Sequence, residues 1–120
     1  MRELLSITRA LSDESRVRAL LSVKDGELCL CQIIEVLGLS PATVSKHMNV
    51  LHQAGLVQRR KQGKWHYYRL AGAEASPPTK RALDWIVDGL RDDALVKRDS
   101  RKIRQVRRQD LKELSACYRG

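Results

Sequence analysis

Three cysteines carry the most distinctive chemistry in this chain of 120 residues. Cys29 and Cys31 are separated by one residue, and Cys117 lies near the C-terminal end. A buried cysteine is ordinarily a small hydrophobic residue, but two neighbouring thiolates offer the soft ligands that soft metals and metalloids prefer. An odd number of cysteines with this spacing does not resemble a secreted disulfide framework. We therefore treat Cys29 and Cys31, the thiol pair, as a candidate ligand site.

The thiol pair stands at the start of a helical pattern. Exposed backbone N–H groups and the helix dipole lower the pKa of a thiol at such a position. Side chains two residues apart on a helix point about 200° apart, because one turn takes ~3.6 residues. They cannot hold one small ion while the helix stays regular. We therefore expect ligand binding to unwind or twist the first turn of this helix.

Residues 27–54 contain two helical patterns joined by a short turn. Gly38 suits the C-terminal end of the first helix. Ser40 is a good N-cap and Pro41 a good first residue for the second helix. Apolar residues at helical spacing predict which side of the second helix faces the core, and they are Val44, Met48 and Leu51.

The other side of the second helix is small, polar and basic. The major groove of DNA admits a protruding helix with such a face, and small side chains let its backbone come close. We therefore predict that this is a DNA recognition helix. The residues predicted to contact DNA from it are Ser40, Ala42, Thr43, Ser45, Lys46 and Asn49.

After the recognition helix, residues 56–61 and 65–70 have the pattern of two strands of a hairpin, and Gly63 suits the turn between them. A basic hairpin tip is often a solubilising edge, but beside a helix-turn-helix it is typical of a wing that binds phosphates. The predicted phosphate contacts are Arg59, Arg60 and Lys64. Trp65 and Tyr67 share one face of the second strand, and we expect them to pack in the core rather than stack on single-stranded bases.

Glu27, Leu28 and the thiol pair form the sequence ELCLC, which resembles the ELCVCDL signature of the ArsR/SmtB family of metalloid-responsive winged-helix repressors. The resemblance continues through the recognition helix and the hairpin to Leu70 and weakens beyond it. It implies a homodimeric winged helix-turn-helix, mainly α with a small β-hairpin. It also implies a repressor that binds a pseudo-palindromic operator and releases it on binding trivalent arsenic or antimony, with no constitutive cofactor.

The sequence departs from the family pattern at two places. Family members with three thiols have a third cysteine three residues after the second, and Ile34 stands there in this chain. Many members also bind zinc on a later helix through Asp and His residues of both subunits. The corresponding segment here has Asp84 and Asp88 but no His. We therefore expect that zinc site to be missing.

Cys117 is the remaining thiol of the chain. Trivalent arsenic prefers three thiolates, so Cys117 could complete the site within one subunit or across the dimer if the C-terminal segment folds back. A solvent oxygen or a small thiol is the alternative third ligand. The other alternative is that Cys117 has no role in ligand binding. The sequence leaves these possibilities open.

Length and charge set the outer bounds. A chain of this length fits one compact unit, and we divide it into a winged helix-turn-helix and dimerisation domain, residues 1–90, and a basic, helical C-terminal extension, residues 91–120. The net charge of +9 favours a polyanionic partner such as nucleic acid over anionic lipid. We see neither a signal peptide nor a membrane-spanning run, and therefore expect a cytoplasmic protein.

Other functions stay open at this point. A thiol-redox or reactive-sulfur sensor of the same fold would use the thiol pair without a metalloid. An architectural DNA-binding protein would explain the charge but not the cysteines. A dithiol oxidoreductase usually carries C-x-x-C beside a βαβ pattern, which this sequence lacks, so we do not expect an enzyme.

Overall fold

The computed structural model describes residues 1–109 of the chain. Its helices are α1 (Arg2–Ala10), α2 (Glu14–Ser22), α3 (Leu30–Leu37), α4 (Pro41–Gln53), α5 (Pro77–Gly89) and α6 (Ala94–Val106). Its strands are β1 (Leu28–Cys29), β2 (Val57–Gln62) and β3 (Trp65–Leu70). The fold is therefore mainly helical with a small antiparallel sheet, as the sequence predicts.

Local capping signals explain where several helices begin. The Thr43 N–H donates to Ser40 Oγ at 3.2 Å at the start of α4, and Gly38 closes α3 in a left-handed conformation with φ +68°. Both features are confirmed. Helix α5 begins at Pro77, because Ser76 is its N-cap and accepts from the Thr79 N–H at 3.4 Å. Two prolines occupy the first turn, where they are well tolerated.

The sheet has one strand more than the predicted hairpin. Strands β2 and β3 pair around Gly63, whose φ is +60°, and β2 starts one residue later than expected. Strand β1 pairs with β3 in the antiparallel register Leu28↔Tyr68 and Cys29↔Tyr67, which gives the strand order β1-β3-β2. Below, the wing denotes the hairpin of β2 and β3. Because β1 has two residues, it leaves no alternating pattern by which it could have been predicted.

The main core lies between α2, α3, α4 and the sheet. The predicted stripe of α4 is confirmed, because Val44, Met48 and Leu51 are fully buried. Tyr68 joins this core from β3, whereas Trp65 and Tyr67 lie on the opposite face of the sheet and are only half-buried. No helix within residues 1–109 is both long and apolar enough to cross a membrane.

Helix α6 packs on α2 and α3 of its own chain. Ile103 and Val106 are buried in the main core, and the Arg18 guanidinium donates to both carboxylate oxygens of Asp99 at 2.8 and 3.1 Å. Just beyond α6, Arg107 donates to the carbonyl oxygens of residues 26 and 27 at 3.3 and 3.4 Å. The end of α6 is thereby held beside the residues that precede β1. Residues 110–120, which include Cys117, lie outside the described part.

Candidate functional site

The two thiols of the pair converge. The Sγ atoms of Cys29 and Cys31 lie 3.2 Å apart. Cys29 is the last residue of β1 and the N-cap of α3, with an extended backbone at φ −70° and ψ 150°, whereas Cys31 lies in the first turn of α3. The expectation that the side chains diverge by about 200° is therefore wrong, because that angle holds only for two helical residues. The helix does not need to unwind for both sulfurs to reach one ligand atom.

The spacing of the sulfurs suits a shared ligand. Two sulfurs bonded at ~2.3 Å to one ion lie roughly 3.3–3.8 Å apart for bond angles between ~90° and ~110°. The observed 3.2 Å is close to this range. The backbone holds the arrangement in place, since the Cys29 N–H donates to Gln32 Oε1 at 2.8 Å in a capping box. The thiol pair can therefore chelate a soft ion with only a small adjustment.

The two thiols have different acidities. The hydrogen bond from the Cys31 S–H lowers the pKa of Cys29 to about 7, and the N–H groups at the start of α3 act in the same direction against the effect of burial. The pKa of Cys31 is raised because this thiol donates to Cys29, is buried, and faces the negative charge of Cys29. Above about pH 7 the pair is thus mainly a thiolate that accepts a hydrogen bond from a thiol. One sulfur is ready to attack a soft electrophile, and the other can follow once its proton leaves.

Two aromatic side chains of β3 pack on the thiol pair. Trp65 and Tyr67 contact the two cysteines, which are 2 % and 6 % exposed. The Arg60 guanidinium lies 4.3 Å from the centroid of the Tyr67 ring, and the Lys64 ammonium lies 5.2 Å from that of Trp65. Burial raises the pKa of Tyr67, and the charge of the Cys29 thiolate adds to this. The site is therefore a thiol pair beneath an aromatic layer and two cations.

A third metal ligand is not among the described residues. In the part of the chain that the structure describes, no cluster of three or more His, Cys, Asp or Glu side chains could hold a metal ion. The two thiols are sufficient for a two-coordinate clamp, and trivalent arsenic prefers three sulfurs. A third ligand would therefore come from Cys117 of the same subunit or of its partner, from a small thiol or from a solvent oxygen.

The predicted DNA contacts share one exposed surface of α4. Ser45 is half-buried, and the remaining members of the predicted set are exposed, namely Ser40, Ala42, Thr43, Lys46 and Asn49. Arg59 on the wing donates to Asn49 Oδ1 at 3.2 Å, so the wing and the recognition helix are joined on this side. Lys64 is exposed at the hairpin tip. The structure thus places helix and wing cations where one duplex could contact both.

Arg60 differs from the other predicted phosphate contacts. Its Nη2 and Nε atoms donate to the Glu27 carboxylate at 2.6 and 2.9 Å, and its Nη1 donates to Gln62 at 2.7 Å. Sequence reasoning missed Glu27 as its partner and missed Tyr67 and Trp65 as the walls of the thiol pair. Their proximity depends on the pairing of β1 with β3, for which the sequence offers no local signal.

The fold and the site define a class of protein. A capped recognition helix, a preceding helix at a tight turn and a basic antiparallel hairpin constitute a winged helix-turn-helix DNA-binding regulator. Residues 13–59 match the family model described as "Bacterial regulatory protein, arsR family". The arsenic resistance transcriptional regulator ArsR1 of Pseudomonas putida is 35% identical over 96 residues, which cover 77% of this chain and 71% of that protein. The chain belongs to the ArsR family of bacterial transcriptional regulators and is not an enzyme.

Further relatives agree with this assignment. The arsenical resistance operon repressor of Escherichia coli K12 is 38% identical over 68 residues, covering 56% of this chain and 58% of the repressor, so the match spans less than two thirds of that relative. HlyU from Vibrio cholerae superposes with a TM-score of 0.62 at 25% identity, covering 72% of this chain and 90% of HlyU. The homodimeric winged helix-turn-helix domain Mb0332 from Mycobacterium bovis has a TM-score of 0.61 at 25% identity, covering 75% and 82%.

Proposed function

We propose that this chain is a homodimeric repressor that binds operator DNA through α4 and the wing and releases it when trivalent arsenic or antimony binds the thiol pair. The observation that carries the proposal is the 3.2 Å approach of the two sulfurs directly beneath the wing. The thiol pair, a site for soft ligands, is thus in contact with side chains of the wing. The pseudo-palindromic operator expected for a two-fold dimer would lie in the promoter region that the protein controls.

The DNA half of the proposal is supported by charge and shape. The net charge of +9 favours a polyanion. Lys46 and Asn49 project from the exposed side of α4, where base edges can be reached, and Arg59 and Lys64 extend along the wing. The helix would read sequence, and the wing would supply affinity that does not depend on sequence.

The metalloid half is supported by the chemistry of the thiol pair. Soft thiolates select soft ions, and a substantial fraction of Cys29 is thiolate near neutral pH because its pKa is lowered to about 7. The family match at residues 13–59 includes the pair, and relatives similar to this chain are named as arsenic or arsenical resistance regulators. Trivalent arsenic and antimony are therefore the inducers we propose.

Release follows from linkage between two binding events. If the ligand binds best to one arrangement of the thiol pair and operator DNA to another, each weakens the binding of the other by the same factor. The thiol pair is placed for such competition because Cys29 is paired into the sheet and Cys31 lies in the first turn of α3, the helix that precedes α4.

The homodimer is supported by apolar surface that one chain leaves uncovered. Trp85 on α5 is 69 % exposed, and Leu4 and Leu5 on α1 are also exposed. Large exposed apolar side chains on neighbouring elements mark interaction surfaces, and α1 contacts α5. The similar Mb0332 domain is homodimeric. We therefore propose that α1 and α5 form the subunit interface.

The decisive experiment is operator binding with and without arsenite under reducing conditions. Wild-type protein should lose affinity when arsenite is added, and Cys29→Ser should bind the operator but ignore arsenite. The hydroxyl has nearly the size of the thiol but lacks the soft thiolate. Cys117→Ser serves as the matched control, since it also exchanges one thiol for a hydroxyl and should retain part of the response. A full response in Cys29→Ser would refute the thiol pair as the sensor.

A second candidate function uses the same pair as a redox switch. A thiolate 3.2 Å from a thiol is arranged to form a disulfide if an oxidant such as peroxide accepts two electrons and is reduced to water. The deep burial of both sulfurs argues against it, because redox-sensing cysteines are usually accessible. Operator binding that is unaffected by peroxide but lost with arsenite would exclude this alternative.

A further inference from the structure

Two aromatic rings stand between the thiol pair and solvent. The cysteines are buried, whereas Trp65 and Tyr67, which pack on them, are partly exposed. Both rings belong to β3, and therefore to the wing. A ligand atom that joins the two sulfurs needs room for itself and for its third substituent. Because protein interiors are close-packed, that room has to come from movement of one of these rings.

The same two rings also contact cations of the wing. Arg60 lies over Tyr67 at 4.3 Å and Lys64 over Trp65 at 5.2 Å. A cation over an aromatic face is attracted by the ring quadrupole, so each ring helps to fix the position of its cation. Each ring therefore contacts both the thiol pair and one cation of the wing.

Strand register places three of these residues in one row. Cys29 of β1 is paired with Tyr67 of β3, which is paired with Arg60 of β2. Directly paired residues project on the same face of a sheet and contact one another. Arg60 is also tied back to Glu27, just before β1, by two hydrogen bonds at 2.6 and 2.9 Å. Arg60 is therefore held both by the Tyr67 ring and by the Glu27 carboxylate, and displacement of the ring would shift the Arg60 guanidinium.

We infer that Tyr67 and Trp65 are positioning residues that transmit occupancy of the thiol pair to the DNA-binding cations Arg60 and Lys64, with Glu27 holding Arg60 in its DNA-competent position. Ligand binding displaces the rings, the cations lose their supports, and the wing no longer fits the duplex. The signal passes through the wing and does not require α3 to unwind, since the sulfurs already converge. This inference rests on the proposed function and specifies how the same site is regulated.

The test compares two adjacent arginines of the wing. Arg60→Gln and Arg59→Gln each remove one cation, but Arg59 donates to Asn49 and is paired with Tyr68, on the face of the sheet opposite to the row. The measured quantity is the ratio of operator dissociation constants with and without arsenite, since either change weakens DNA binding itself. We expect Arg59→Gln to keep the wild-type ratio. Arg60→Gln should lower it by about tenfold, which is within the usual range of coupling between two sites.

A second pair of variants separates ligand capture from its transmission. Tyr67→Leu should still bind arsenite, measured on folded protein by sulfur X-ray absorption, but should show the reduced ratio of Arg60→Gln. Arsenite should change the tryptophan fluorescence of wild-type protein, and this change should vanish in Trp65→Phe, because Trp65 contacts the pair and Trp85 is distant from it in the chain.

The outcomes distinguish this inference from the proposed function. If Arg60→Gln and Tyr67→Leu keep the wild-type ratio while Cys29→Ser loses the arsenite response, the thiol pair is the sensor and the route through the wing is wrong. If Cys29→Ser still responds fully, both the proposed function and the inference fail. A lowered ratio in Arg60→Gln together with an unchanged ratio in Arg59→Gln supports the inference, even if Tyr67→Leu does not fold.

Discussion

Cys29 and Cys31 belong to different elements, yet their Sγ atoms lie 3.2 Å apart. Cys29 ends a strand and caps the helix in which Cys31 is the second residue. The change from extended to helical backbone between them turns two side chains that would diverge on a helix toward one point. A ligand site spanning a strand and a helix is sensitive to any movement of one against the other, and this makes it suitable for a switch.

The acidity of Cys29 should depend on Cys31. Cys31→Ala removes the hydrogen bond that contributes most to the low pKa of Cys29, while burial remains. The thiolate is the form present above the pKa, so the rise in thiolate absorbance, which is centred near pH 7 in wild-type protein, should move to higher pH. Cys117→Ala is the control, since it also removes one thiol. An unchanged midpoint in Cys31→Ala would show that Cys31 does not stabilise the thiolate.

Lys46→Ala should weaken binding to the specific operator. Lys46 is exposed on α4, opposite the buried stripe, and loss of a contact to a base edge costs about 1–3 kcal/mol. Lys80→Ala is a matched control, because Lys80 is an exposed lysine on α5. Titration of labelled operator measures both variants. If they bind equally well and both are folded, Lys46 does not take part in the interface.

Arg59→Ala should weaken binding to every DNA sequence by a similar factor. A phosphate contact releases counterions, so its loss should reduce the slope of log affinity against log salt by about 1. Measurements with operator and with random DNA over a range of salt concentrations test this. A loss confined to the operator would mean that Arg59 reads bases, and the assignment of the wing to phosphates would then be wrong.

Asp99→Ala should destabilise the whole chain. The change leaves the guanidinium of Arg18 nearly buried without its partner, and such a loss costs about 3–5 kcal/mol. The control is Asp92→Ala, because the contact of Asp92 with Lys97 is 3.9 Å long and both side chains are well exposed. Urea denaturation should show a large decrease in the free energy of unfolding for the first variant and little change for the second.

The parts of the fold that depend on neighbouring residues could be predicted from the sequence. Ser40 and Pro41 fix the start of α4, and Gly63 fixes the turn of the wing, because each acts within a few residues. The thiol geometry was not predicted, since it depends on α3 beginning after Cys29, which is the extended N-cap and also pairs with β3 nearly forty residues later. The hydrogen bonds from Arg60 to Glu27 depend on the same pairing of β1 with β3.

The packing of α6 on α2 and α3 could not be predicted from the sequence pattern either. Its apolar residues are few, and the same pattern suits a solvated helix. Helix α6 is docked because Arg18 forms a buried ion pair with Asp99 and because Val106 is buried. These contacts join positions that are far apart in the chain. Arg107 then brings the end of α6 to the residues before β1, which bears directly on the third sulfur of the site.

Cys117 should supply the third sulfur to bound arsenic. Arg107 is held at the carbonyl of Glu27, two residues before Cys29, and Cys117 follows ten residues later, a length that spans at most roughly 35 Å when extended. Reach is therefore not limiting. X-ray absorption on arsenic-loaded wild-type protein should detect three sulfurs, and Cys117→Ser should detect two, with weaker arsenite binding and slower, incomplete release of DNA. Removal of the residues after Asp110 should have the same effect. Three sulfurs in Cys117→Ser, measured without added thiol, would exclude Cys117 as a ligand.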